Sequence, residues 1–171
     1  MLIEARHDLG RARLVKPEAL GVPGKRTFHF QIEAERGSAY VWMEKNQLSA
    51  LAVAIQKFLE DDPAEQRQTR DGIIEVILDP FFDFKAASLG LAYDEVSHLF
   101  AILAYDAEDF ERDEVTLLCW ISRHQVEQMA VDALTVVGAG RPICVLCKQP
   151  IDPEGHICVE SNGHKPIGGE L

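Results

Sequence analysis

No apolar run in this 171-residue chain approaches the twenty or so residues that cross a bilayer as a helix, so no membrane span is expected. No glycine-rich phosphate loop, no G-x-S-x-G elbow and no H-E-x-x-H pair occurs, which removes the common signatures of nucleotide binding, serine hydrolysis and zinc proteolysis. Cysteine is scarce, at four residues. The start, Met1-Leu2-Ile3-Glu4-Ala5-Arg6-His7, places an acid where an export signal would continue into apolar residues. A cytoplasmic location is therefore expected, and in that reducing compartment the cysteines point to a metal or to burial rather than to disulfides.

What the chain does have is the balance of a globular protein, 47% apolar and 26% charged, in a length that suits one domain with a small appendage. The net charge of −11 is unevenly spread. Residues 60–114 hold sixteen acids against four bases, while the first thirty residues hold six bases against three acids. An acidic, solvated middle keeps the chain soluble and repels polyanions. The run Asp106 to Glu114 lacks the spacing and central glycine of a calcium loop, and reads as a solvated hairpin connection.

Hydrophobic periodicity predicts an α+β fold of mostly antiparallel strands with two amphipathic helices. Phe28, Phe30, Ile32 and Ala34 alternate with polar residues as in a half-buried strand, and Arg36-Gly37-Ser38 turns the chain into a return strand bearing Ala39, Val41 and Met43. Leu48, Leu51, Ala52, Ile55, Phe58 and Leu59 then fall at helical spacing, and Asp61-Asp62-Pro63 ends that helix. After a polar linker at 63–71, strands are predicted at 73–78, 84–93, 97–105 and 114–121. Ser122 with Gln125 makes a capping box for a second helix, whose stripe is Val126, Met129, Ala130, Ala133, Leu134 and Val137, with Gly138 to Pro142 as its stop. A shift of 78 residues superimposes Gln47-Leu-Ser-Ala-Leu-Ala-Val on Gln125-Val-Glu-Gln-Met-Ala-Val, which suggests two strand–strand–helix units packed as a pseudo-dimer. Cys119, beside Leu117 and Trp120, reads as a buried small hydrophobe.

The chemistry concentrates at the C-terminus, giving an expected division into an α+β domain, 1–140, and a zinc-binding knuckle, 141–171. In Pro142-Ile-Cys144-Val-Leu-Cys147-Lys-Gln-Pro-Ile-Asp-Pro-Glu-Gly-His156-Ile-Cys158, two cysteines separated by two residues can turn both thiolates to one point. His156 and Cys158, two apart on an extended segment, project the same way. Asp152-Pro153-Glu154-Gly155 has the chemistry of a type I turn that folds the second pair over the first. Cys144, Cys147, His156 and Cys158 thus offer Zn2+ a complete tetrahedral shell, structural because no position is left for water. His164 is an alternative fourth ligand, set off by the turn at Asn162-Gly163.

The stretch from Gly140 to Cys158 resembles the C-terminal end of an uncharacterised bacterial family, domain of unknown function 3090. Gly24-Lys-Arg-Thr-Phe-His-Phe-Gln and Met43-Glu-Lys-Asn-Gln-Leu-Ser-Ala-Leu resemble that family's N-terminal half. The resemblance implies that Cys144, Cys147, His156 and Cys158 are the family's shared cluster; Lys148 departs from it, standing where a glycine is common. It implies no activity, only an association with genes resembling a histidine phosphatase and a phosphoinositide-kinase-like protein.

Three functions follow for comparison. A zinc-stabilised adaptor that binds a protein partner is the first expectation, since the predicted site is closed and no catalytic constellation is visible. An enzyme assembled from distant residues is the alternative, with His29, His98 and His124 as candidate acids or bases. Nucleic-acid binding is not expected, because the tail sets only Arg141, Lys148 and Lys165 against four acids.

Overall fold

The computed structural model describes residues 3–61, 73–108, 114–140, 144–147, 151, 156–158, 160 and 166–167. The fold is α+β. Six strands, β1 (Ala5–Leu20), β2 (Thr27–Ala34), β3 (Gly37–Met43), β4 (Phe81–Asp94), β5 (Leu99–Asp106) and β6 (Val115–Ile121), close into a barrel in sequence order. Two helices, α1 (Lys45–Asp61) and α2 (Arg123–Gly138), follow β3 and β6, and a two-stranded ribbon, β7 (His156–Ile157) with β8 (Pro166–Ile167), lies near the C-terminus. Among the described residues no helix is long and apolar enough to cross a membrane.

Strand alternation sets the barrel interior. Phe28, Phe30, Ile32 and Ala34 of β2, and Ala39, Val41 and Met43 of β3, are buried in one core with Phe100, Ile102 and Ala104 of β5 and Leu117, Cys119 and Ile121 of β6. The helical stripes complete that core through Leu48, Leu51, Ala52 and Ile55 of α1 and Val126, Met129, Ala130 and Ala133 of α2. The helices pack on each other, α1 also against β4 and α2 against β1. Gly37 makes the β2–β3 turn at φ 150°, where a Cβ would lie 2.7 Å from the Pro80 carbonyl oxygen.

The internal repeat is real and larger than the sequence suggested. Each half is three strands and a helix: β1–β2–β3–α1, then β4–β5–β6–α2. Neighbours within a half pair antiparallel, and the halves join through two parallel seams, β3 with β4 and β6 with β1. Gln47 and Gln125, the residues that the 78-residue shift aligns, do equivalent work. Gln125 Oε1 accepts the Ser122 N–H (2.8 Å) while its Nε2 donates to the carbonyls of Ala12 (2.8 Å) and Arg13 (3.1 Å) in β1. Gln47 Oε1 accepts the Glu44 N–H (2.7 Å) while its Nε2 donates to Ala87 (2.7 Å) and Ala86 (3.4 Å) in β4. Both acceptor sites coincide with register shifts, Ala12/Leu14 in β1 and Ala86/Ser88 in β4. A bulge leaves its extra residue outside the ladder, and each glutamine donates to the carbonyl of that extra residue, Arg13 or Ala87, and of its neighbour in the opposite half.

Two sequence expectations are corrected. No strand forms over 73–78; Ile77 makes one isolated bridge to Ala34, and Ile73 is fully exposed. The slot beside β3 is filled by β4, whose pairing starts at Ser38 with Phe81. Second, β1 went unpredicted. Its 16 residues include Gly10, Pro17 and two register shifts, which scramble the alternation, and it changes partners from β6 to β2 along its length. The linker at 63–71 lies outside the described residues.

Candidate metal centre

Gly138 ends α2, where the Ala139 N–H bonds to the Thr135 carbonyl. Arg26 closes this helix end: its guanidinium donates to the carbonyls of Val136 (2.9 Å) and Val137 (3.2 Å) and lies 5.1 Å from the Phe28 ring centroid. A Cβ on Gly140 would run into that guanidinium, so a glycine suits the point where the chain leaves the barrel for the cysteine segment.

Residues 145–147 then form a turn, and the structure brings all four predicted ligands together. The donor atoms of Cys144, Cys147, His156 and Cys158 lie within 4.8 Å of one another. Cys144 Sγ is 3.7 Å from Cys158 Sγ, and Cys147 Sγ is 3.3 Å from His156 Nε2. None of the four cysteines is joined in a disulfide. His156 sits in β7 opposite Ile167 and Cys158 follows directly, so the extended backbone sends both side chains to one side, as the spacing predicts. His164 and the turn at 152–155 lie outside the described residues.

The electrostatics favour a thiolate at Cys144. The backbone N–H of Cys147, with help from that of Leu146 and from the Cys147 and Cys158 side chains, lowers the Cys144 thiol to about 6 against the opposing effect of burial. Cys119 behaves oppositely: burial, helped by Asp8, pushes its thiol up to about 12, so it stays protonated in the barrel core. Three sulfurs and one imidazole within this radius make a group able to hold a metal ion.

The candidate acid–base histidines do not converge. His29 is buried on the outer barrel wall between Tyr40 and Trp42, at ring-centroid distances of 4.9 and 4.6 Å, with Nε2 3.4 Å from a Glu18 oxygen. His98 lies in the β4–β5 turn, not on a strand, at φ 57° with Tyr93 Oη 3.0 Å from its Nδ1. His124 is exposed on the first turn of α2. The His29–Glu18 pair was invisible in sequence because Glu18 belongs to β1, the strand that patterning missed.

Curated proteins and solved structures yield no match to the chain. The sequence profile described as "Protein of unknown function (DUF3090)" matches residues 7–158, and with most of its length covered the chain belongs to that family.

Proposed function

We propose that residues 141–171 form a zinc knuckle appended to the 1–140 barrel domain, and that the protein acts as a zinc-stabilised adaptor for a protein partner. The observation that carries the metal reading is the closed tetrad. Two thiolates at about 2.3 Å from one tetrahedral ion stand about 3.8 Å apart, and a thiolate and an imidazole about 3.5 Å apart. The spacings of 3.7 and 3.3 Å support that geometry. Three thiolates with one histidine suit Zn2+ rather than the hard oxygen-seeking cations, and free thiols suit a reducing cytoplasm.

The adaptor reading draws on what the turn presents. Val145 and Leu146, between two ligands, are 79% and 52% exposed. A metal that fixes Cys144 and Cys147 fixes this apolar pair as well, at little further entropic cost, ready for an apolar cleft on a partner. An acidic chain of net charge −11 does not suit nucleic acid. The dispersed histidines give catalysis no comparable support.

Metal analysis of protein purified without added zinc tests the first part: one zinc per chain is expected, and a metal-free yet equally ordered segment refutes it. For the second part, replacing both Val145 and Leu146 by Asp should abolish partner capture while zinc content stays at one per chain.

A further inference from the structure

We propose that Cys147 is an oxidation site, the ligand at which hydrogen peroxide opens the cluster and expels the metal. The inference rests on the zinc reading above. Its basis is an asymmetry among the three sulfur ligands. Cys144 and Cys158 are each 2% exposed, whereas Cys147 is half-buried. A small polar oxidant arriving from water therefore meets Cys147 first.

The chemistry balances in two steps. The Cys147 thiolate attacks one peroxide oxygen; the S–O bond forms, the O–O bond breaks, and the second oxygen leaves as hydroxide and takes a proton to become water. The sulfur loses two electrons, reaching sulfenic acid, and the peroxide gains them. A second thiolate of the cluster, Cys144 or Cys158, then attacks the Cys147 sulfur, forming the S–S bond and displacing hydroxide. The ligand atoms lie within 4.8 Å of one another, so this resolving step needs only a local side-chain movement. Two of four ligands are consumed, and one cysteine with His156 cannot retain the ion. Metal release then unties the turn carrying Val145 and Leu146, so oxidation would switch off whatever that turn binds.

The test uses the full zinc-loaded chain, with metal content measured before any oxidant is added; absence of zinc at that stage refutes the metal reading itself, separately from this one. Peroxide is then added, zinc release is followed with a chromogenic chelator, and the first disulfide is mapped by mass spectrometry after alkylation. The expected result is zinc release in step with a disulfide that includes Cys147. Cys147→His keeps four ligands and should hold zinc while slowing release by roughly tenfold or more; Cys158→His should remain peroxide-sensitive. A first disulfide joining Cys144 to Cys158, or unchanged release from Cys147→His, overturns the proposal. Should Cys147→His fail to hold zinc, the mapping on the unaltered chain decides.

Discussion

Inside the barrel, apolar side chains from all six strands and both helices meet in one core, whereas between Cys144 and Cys158 the buried residues that are described are those two cysteines themselves. The two regions solve the same entropic problem differently. Fixing backbone costs about 1–2 kcal/mol per residue. The barrel offsets it by burying rings such as Phe30 and Phe100, both 0% exposed, along with the helix stripes. Among the described residues of the C-terminal segment there is no such store, and Val145 and Leu146 face water. A metal at the Cys3His group would supply about 10 kcal/mol or more at one point. On the zinc reading proposed above, order in this chain would come from two separable sources.

The largest effect that could break the contrast is metal removal. A strong chelator, or Cys158→Ala, should cost the knuckle its whole metal-binding free energy, about 10 kcal/mol, while thermal unfolding of the barrel changes little. Loss of barrel unfolding cooperativity on chelation would show that the regions are not separable. Phe30→Ala or Phe100→Ala is the converse: each should lower barrel stability by about 3–5 kcal/mol in denaturant titration and leave zinc stoichiometry at one.

The relation between the halves offers a finer comparison. Gln47→Ala and Gln125→Ala each strip two bulge carbonyls of their donor and remove an N-terminal cap contact. Each should cost about 1–3 kcal/mol, and by similar amounts if the halves are equivalent. Ser122→Ala, which removes half of the capping box on α2, should cost about 1 kcal/mol.

The smallest effect separates the thiols. Burial holds Cys119 up to about 12, above its ordinary 9.0, so the folded chain keeps a proton that the unfolded chain releases. Its contribution to stability is fully present below pH 9 and is lost as pH rises through 9 toward 12. In folded, metal-stripped protein at neutral pH, alkylating reagent should label Cys147 and Cys144 well before Cys119. Early labelling of Cys119 would contradict its place in the core.

Much of this was legible in the sequence, unequally. The β2–β3 hairpin, both helix stripes and the Ser122 capping box follow from local periodicity and local hydrogen-bonding chemistry, and appear as expected. The convergence of the four residues able to hold a metal was legible for a related reason: they come in two short pairs whose geometry is set locally. What local patterning could not reveal depends on long-range closure. β1 is recognisable as a strand only once β6 and β2 flank it, since its bulges and Pro17 spoil the alternation. The apolar residues of 73–78 imitate a strand, yet the barrel has no place left for one. The matching of Gln47 with Gln125 hinted at a repeat, but its meaning, each glutamine reaching across to the bulge of the other half, lies in the tertiary structure.

Backbone amide NMR of the zinc-bound chain, before and after chelation, tests the separation of the two regions most directly. The expected spectrum keeps the dispersed peaks of the barrel strands, Leu117 to Ile121 among them, while those of Cys144 to Cys147 and His156 to Cys158 collapse to random-coil positions. Peaks of the cysteine segment that stay dispersed without metal, or barrel peaks that collapse with it, would contradict the account.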